Sequence, residues 1–115
     1  SKTIKEVFDK FGYLLDTHTA VAYSCYEKYV EDTKDITKTV IVSTASPYKF
    51  VKSVMSAIDA ENANADEFDL LPKLQEVSGV PMPQAIKDIL DAKVLHDLEC
   101  DADKMKDTVK GILGV

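Results

Sequence analysis

The sequence predicts an α/β fold in which helices flank one central strand. The predicted strand covers residues 39–43 and contains three β-branched residues in succession, Val40, Ile41 and Val42. Apolar residues at helical spacing occur on both sides of this run. Pro47 follows closely, and proline is typical of the first position of a helix, where its missing N–H costs nothing.

Two helices are predicted before the strand. Thr3 and Glu6 fit a capping box at the start of the first, which extends to about residue 13. Its apolar face would carry Ile4, Val7, Phe8 and Phe11. The second helix should begin at Asp16 or Thr17 and extend to about Glu31. A polar turn at residues 34–37 then leads into the strand.

Hydroxyl-bearing residues follow the strand directly. Ser46 suits the N-cap of the helix that Pro47 opens, whose apolar face would carry Phe50, Val51, Val54, Met55 and Ile58. This pattern presents hydroxyls and backbone N–H groups where a strand ends and a helix begins, which is a common ligand site in α/β proteins. An ordinary strand, turn and well-capped helix explains the same pattern.

The second half of the chain predicts shorter elements. Residues 60–65 are small, polar and acidic, as in an exposed loop. Helices are expected at 66–77 and 84–92, separated by a break rich in proline. Residues 94–99 could form a short edge strand, and Asp101 would cap a last helix.

Composition excludes several classes of function. The 115 residues carry a net charge of −6, and all 14 basic residues are lysines, which argues against binding to nucleic acid. No apolar run approaches the roughly 20 residues of a membrane span. Cys25, Cys100, His18 and His96 match no standard zinc spacing, so we expect no metal site. Two separate, reduced cysteines favour a cytoplasmic protein.

One strand cannot form a stable sheet, and this deficit predicts that the chain is a piece of a larger protein. A first residue other than Met agrees with that expectation. The predicted organisation is an α/β part at residues 1–60 and a small helical extension at 61–115. The strand would pair with the remainder of the protein, with residues 94–99, or with a second copy, so self-association is expected.

Several motifs resemble the C-terminal part of threonine synthase, in the longer bacterial and fungal branch. Residues 14–23 read Leu-Leu-Asp-Thr-His-Thr-Ala-Val-Ala-Tyr, and residues 39–50 read Thr-Val-Ile-Val-Ser-Thr-Ala-Ser-Pro-Tyr-Lys-Phe. The break Ser-Gly-Val-Pro-Met-Pro at 78–83, the Leu-His pair at 95–96 and Cys-Asp-Ala-Asp-Lys-Met at 100–105 also fit. The resemblance spans nearly the whole chain in order. Thr17 departs from it, because the family usually has proline there.

The resemblance implies a fold-type II enzyme that uses pyridoxal 5′-phosphate (PLP). Such an enzyme converts O-phosphohomoserine and water to threonine and phosphate. The family's Schiff-base lysine and glycine-rich phosphate loop lie upstream of the region resembled here, so no catalytic residue is expected in this chain. We expect the isolated chain to bind no PLP and to be inactive.

The resemblance also assigns candidate site residues. Thr44 would donate a hydrogen bond to the pyridine nitrogen of PLP, with Ser43 beside it. The alternative for Thr44 is a local hydrogen bond to a backbone carbonyl or a part in capping the next helix. Asp16, His18, Thr19 and Lys49 are candidates for a substrate or active-site loop. Asp16 could equally be an N-cap, His18 a structural residue and Lys49 an exposed helix lysine.

Two functional classes follow from these expectations. In the first, the chain is the C-terminal part of threonine synthase, and its partners are the N-terminal remainder of the enzyme and the substrate O-phosphohomoserine. In the second, it is a free-standing α/β module that binds a ligand or another protein without catalysis. A complete reading frame that extends upstream and contains the PLP lysine would decide for the first.

Overall fold

The computed structural model describes residues 2–115, which form helices and connecting segments. Three helices come from the first half of the chain: α1 is Lys2–Phe11, α2 is Thr17–Thr33 and α3 is Val51–Ile58. The second half adds α4 (Glu67–Ser78), α5 (Gln84–Leu90) and α6 (Met105–Leu113). Short 3₁₀ turns occur at Pro47–Phe50, Ala60–Asn62 and Ala102–Lys104. No helix in the described part of the chain is long and apolar enough to cross a membrane.

The predicted α/β fold is wrong, because residues 39–43 form no strand. A strand requires backbone hydrogen bonds to a neighbouring strand, and no segment among residues 2–115 supplies one. Val40 and Val42 are instead 82% and 72% exposed. The β-branched run suggested a strand because such residues favour a pleated, half-buried surface. In this structure only Ile41 of the three has such a surface, since it faces α1 and α2.

The second predicted strand, at residues 94–99, is also absent from the described structure. This segment has no regular secondary structure, and Val94 and Leu95 are each 79% exposed. The two predicted strands therefore do not pair with each other. Self-association stays a prediction, and its basis is now the exposed apolar side chains rather than an open strand edge.

Helix boundaries agree better with the sequence than the strands do. Asp16 caps α2, and Lys34 ends it in a left-handed conformation with φ 58°. The capping box at Thr3 is not formed, because α1 already includes Lys2 and Thr3. Asp101 precedes the 3₁₀ turn before α6 as expected, but its side chain makes no cap hydrogen bond.

The core lies where α3 packs against α1 on one side and α4 on the other, with α2 against α1. Its members are buried apolar residues: Ile4, Val7, Leu14, Leu15, Ala20, Tyr48, Val51, Val54, Met55, Ala57, Ala63, Leu70, Leu71, Leu74 and Met82. The Tyr48 hydroxyl donates to the Val80 carbonyl at 2.5 Å and so ties the segment before α3 to the loop after α4. The start of α2 and residues 43–50 lie against this core. Core residues come from both sides of residue 60. The division of the chain into parts at residues 1–60 and 61–115 stays a prediction.

Helices α5 and α6 lengthen the molecule but place no buried residue in its core. Neither α5 nor α6 contains a buried residue. The chain measures 61 × 33 × 25 Å, and its radius of gyration is 18.9 Å. A compact domain of this length would have a radius of gyration of about 13 Å. Helix α6 therefore exposes its apolar face, which carries Met105, Val109, Ile112 and Leu113.

Candidate functional site

The candidate site begins at the N-terminus of α2, where Asp16 acts as N-cap. One carboxylate oxygen, Oδ1, accepts the backbone N–H of His18 at 2.8 Å and that of Thr19 at 3.2 Å. These bonds satisfy two of the free N–H groups with which every helix begins. Because the side chain satisfies them, this helix end presents fewer free donors to an anion than the sequence pattern alone suggested.

The other carboxylate oxygen of Asp16 connects two distant parts of the chain. Oδ2 accepts the hydroxyl of Thr19 in a very short hydrogen bond and the hydroxyl of Ser43 at 3.3 Å. The Thr19 and Ser43 hydroxyl oxygens are 3.2 Å apart. We call these three side chains the Asp16 cluster. It joins α2 to a segment that follows 27 residues later.

The two hydroxyls of the Asp16 cluster carry one proton each. The Thr19 hydroxyl donates to Oδ2 of Asp16 and also lies within donating distance of the Ser43 oxygen. The Ser43 hydroxyl donates to the same Oδ2. Both hydroxyls can therefore donate only if the carboxylate stays ionised, so the geometry favours a charged Asp16.

The pKa of Asp16 reflects two opposing causes. Burial of the carboxylate would by itself raise the pKa. Hydrogen bonds from the Thr19 side chain, the Thr19 and His18 backbone and the Ser43 hydroxyl outweigh burial and hold the pKa of Asp16 below its ordinary value. No buried side-chain nitrogen or oxygen of the described residues lacks a hydrogen-bond partner.

Side chains alternate along the segment that Ser43 anchors. Thr39, Ile41 and Ser43 line an open groove of about 310 Å³ between this segment, α1 and α2. Val40 and Val42, between them, face away from the groove and are exposed. Thr44 continues the outward series and is exposed. The Asp16 cluster thus directs the Ser43 hydroxyl towards the start of α2, whereas the next hydroxyl along the chain, although equally exposed, makes no such bond.

The hydroxyl after Thr44 has a structural role. The Ser46 side chain accepts the Tyr48 N–H at 3.3 Å and caps the 3₁₀ turn Pro47–Phe50, as the sequence predicted. None of the side-chain hydrogen bonds found within residues 2–115 involves Thr44. Of the two candidate roles for Thr44, the local backbone bond is therefore not formed.

His18 lies beside the Asp16 cluster but does not belong to it. Its Nδ1 is 3.6 Å from the Asp16 carboxylate, which is too long for a hydrogen bond, and its side chain is 67% exposed. The ring packs against Phe50, with ring centroids 4.9 Å apart and planes inclined at 52°. This contact brings the start of α2 to the end of the 3₁₀ turn.

Lys49 is exposed at the same end of the molecule. Its ammonium nitrogen lies 5.8 Å from the Phe50 ring centroid, at the outer limit of a cation–π contact. The structure thus brings Asp16, Thr19 and Ser43 into direct contact, joins His18 and Lys49 through Phe50, and leaves the Thr44 hydroxyl free of side-chain bonds within the described chain. The sequence did not indicate Phe50 as a site residue, because its spacing marked it as core.

The donors present fit one end of the predicted cofactor. A pyridine nitrogen that carries no proton accepts a hydrogen bond from a neutral hydroxyl, whereas a carboxylate would keep that nitrogen protonated. Asp16, the carboxylate of the cluster, is buried and its two oxygens accept hydrogen bonds from α2 and Ser43, whereas the Thr44 side chain is exposed and makes no side-chain hydrogen bond within the described residues. Among the described residues, no group of three or more His, Cys, Asp and Glu side chains could hold a metal ion.

The free energy of unfolding should fall in acid because of Asp16. As pH decreases, the unfolded carboxyl takes up its proton first, since the pKa in the fold lies lower. The stabilisation is therefore complete above about pH 5 and decreases as the pH falls towards about 2. Urea unfolding at several pH values should show a weaker acid dependence for Asp16→Asn than for the wild type.

Asp66→Asn is the matched control for this measurement. Asp66 is also an N-cap aspartate, accepting the Phe68 N–H at 2.9 Å, but it is exposed and bonds only within its own helix. Equal acid dependence in the wild type and Asp16→Asn would show that Asp16 has the same pKa in the folded and unfolded chain.

Comparison with known proteins gives the family. A family model described as "Threonine synthase, C-terminal" matches residues 19–109. The matched region contains Thr19, Ser43, Thr44 and Lys49, whereas Asp16 and His18 lie just before it. No solved structure matches the chain. Since the match covers well over half of the sequence, the chain belongs to the threonine synthase C-terminal family.

Proposed function

We propose that this chain is the C-terminal part of a threonine synthase that converts O-phosphohomoserine and water to threonine and inorganic phosphate. The family match supports the threonine synthase assignment. The exposed Thr44 hydroxyl beside the Asp16 cluster is the observation that connects this chain to the reaction. In this proposal the remainder of the enzyme supplies the covalent lysine and the phosphate loop.

PLP, when bound, supplies an electron sink for the carbanion chemistry of the reaction. The proposed task of Thr44 is to donate a hydrogen bond from its hydroxyl to the pyridine nitrogen. A hydroxyl leaves that nitrogen unprotonated, whereas an aspartate would not. Ser43 holds this segment in place and does not itself bond to PLP, because its hydroxyl is hydrogen-bonded to Asp16 and Thr19.

The substrate carries a phosphate group, and the proposal assigns the two exposed basic side chains to it. His18 and Lys49 lie on either side of Phe50 at the end of the candidate site. The Lys49 ammonium would attract the phosphate as it approaches, and the His18 ring would offer it an N–H donor. Asp16 and Thr19 would hold the loop on which His18 stands.

The remainder of the enzyme is also the proposed partner of the outward apolar side chains. Ile36, Val40 and Val42 are exposed together along one segment. Exposed apolar patches of this kind indicate a contact surface.

Cys25 and Cys100 are exposed and unpaired, which supports a cytoplasmic location, where thiols stay reduced.

The test is a kinetic comparison in the complete enzyme. Thr44→Val keeps the shape of the side chain and removes the hydroxyl. We expect a loss in kcat/KM for threonine formation equivalent to about 1–3 kcal/mol, the usual cost of an unsatisfied buried acceptor. Thr44→Ser retains the hydroxyl and should stay near the wild-type value. An unchanged kcat/KM in Thr44→Val would mean that Thr44 does not serve the cofactor.

A further inference from the structure

We propose that Asp16 is a positioning residue for Thr44 and acts through the Ser43 hydroxyl. The inference rests on the proposed function of Thr44, which the family match alone does not assign to any residue. It adds Asp16, a residue that lies outside the matched region 19–109 and whose side chain is fully buried.

The first step is the burial and saturation of Asp16. Its side chain is 0% exposed, and its two oxygens accept four hydrogen bonds, from His18, Thr19 twice and Ser43. Capping α2 needs only the two backbone bonds at Oδ1. The second oxygen is thus available for a different task, and it binds the hydroxyls of Thr19 and Ser43.

Second, few hydrogen bonds hold the backbone near Thr44 in place. Residues 39–44 form no helix and no strand, so no regular backbone ladder holds them. The Ser43 hydroxyl bonds in the Asp16 cluster are the side-chain hydrogen bonds that this stretch makes to another element of the structure. The next anchor along the chain is the Ser46 cap.

The third step is the alternation of side chains. Ile41 and Ser43 line the groove whereas Val40 and Val42 do not, so fixing the Ser43 hydroxyl on Asp16 directs its neighbour Thr44 away from the groove. A loss of the Ser43 bond would let the segment rotate and would leave the Thr44 hydroxyl without a defined direction. Asp16 therefore sets the direction of the Thr44 hydroxyl without touching its partner.

The first experiment measures the rate of limited proteolysis by thermolysin in the complete enzyme without PLP, since this protease cleaves before Ile41 and Val42 once the segment loosens. Asp16→Asn converts Oδ2 into a donor or a poor acceptor, and Ser43→Ala removes the hydroxyl while leaving the α2 cap intact. Both should speed cleavage within residues 39–46 by about tenfold, the loss expected for a hydrogen bond to a charged group. Ser43→Thr should restore slow cleavage, and Asp66→Asn should leave the cleavage rate unchanged.

The second experiment is a double-mutant cycle on PLP affinity. Ser43→Ala should raise the Kd for PLP about tenfold when Thr44 is present. In a Thr44→Val background it should have no further effect, since the hydroxyl that it positions is gone. A purely structural role for Ser43 would instead give the same loss in both backgrounds.

The outcomes separate this inference from the proposed function. Unchanged cleavage rates within 39–46 in both Asp16→Asn and Ser43→Ala would overturn the positioning role, even in a fully active enzyme. Equal losses of PLP affinity in the two Thr44 backgrounds would overturn it as well. If Thr44→Val alone changes neither PLP affinity nor turnover, the proposed function of Thr44 fails, and the proteolysis measurement still decides whether Asp16 fixes residues 43 and 44.

Discussion

Leu74→Ala should lower the free energy of unfolding of this chain by about 2–5 kcal/mol. Leu74 lies on α4 with no exposed surface, in the cluster where α3 and α4 pack. Its truncation removes buried apolar area and leaves a cavity that surrounding side chains fill only partly. Urea unfolding followed by circular dichroism measures the loss.

Ile112→Ala is the matched control for Leu74→Ala. Ile112 is also a large aliphatic residue on a helix, but it lies on the exposed face of α6 and is 66% exposed. Its truncation should change the free energy of unfolding by no more than about 0.5 kcal/mol. Comparable losses in the two variants would show that α6 packs against the core in solution, contrary to the structure.

The 115-residue chain alone should release no phosphate from O-phosphohomoserine and should form no specific adduct with PLP. A lysine that reacts selectively needs a desolvated pocket or a neighbouring cation. Of the 14 lysines none is buried, and Lys73 alone is half-buried. The four glycines are widely separated, so no glycine-rich loop is available for a phosphate.

The experiment incubates the chain with PLP, reduces it with borohydride and maps the labelled peptides, alongside a colorimetric phosphate assay. We expect weak labelling scattered over several exposed lysines and no phosphate. The complete enzyme, treated identically, should label at one lysine and release phosphate. Stoichiometric labelling of a single lysine in the short chain, together with phosphate release, would refute the prediction.

Helices could be predicted from the sequence because their signals are local. Asp16 and Ser46 each mark a helix or 3₁₀ start by a side-chain cap, and the structure forms both caps, whereas those predicted at Thr3 and Asp101 are not formed. The strand prediction failed because a strand depends on a neighbour. Nothing local to Val40 or Val42 reveals whether such a neighbour is present.

The candidate site could be predicted in part. Motif resemblance gave Asp16, Thr19, Ser43 and Thr44 as candidates, and the first three meet in the structure. Their contact spans 27 residues and follows from how α2 and the segment after it lie on the core, which no local spacing encodes. The stacking of His18 on Phe50 has the same origin, since helical periodicity had assigned Phe50 to the core.

The central claim is that the Thr44 hydroxyl donates to the pyridine nitrogen of PLP. The most direct measurement is the NMR resonance of that nitrogen, isotopically labelled, in PLP bound to the complete enzyme. The account predicts that the resonance moves towards the position of a free, unprotonated pyridine in Thr44→Val and stays near the wild-type position in Thr44→Ser. An identical resonance in wild type and Thr44→Val would contradict it.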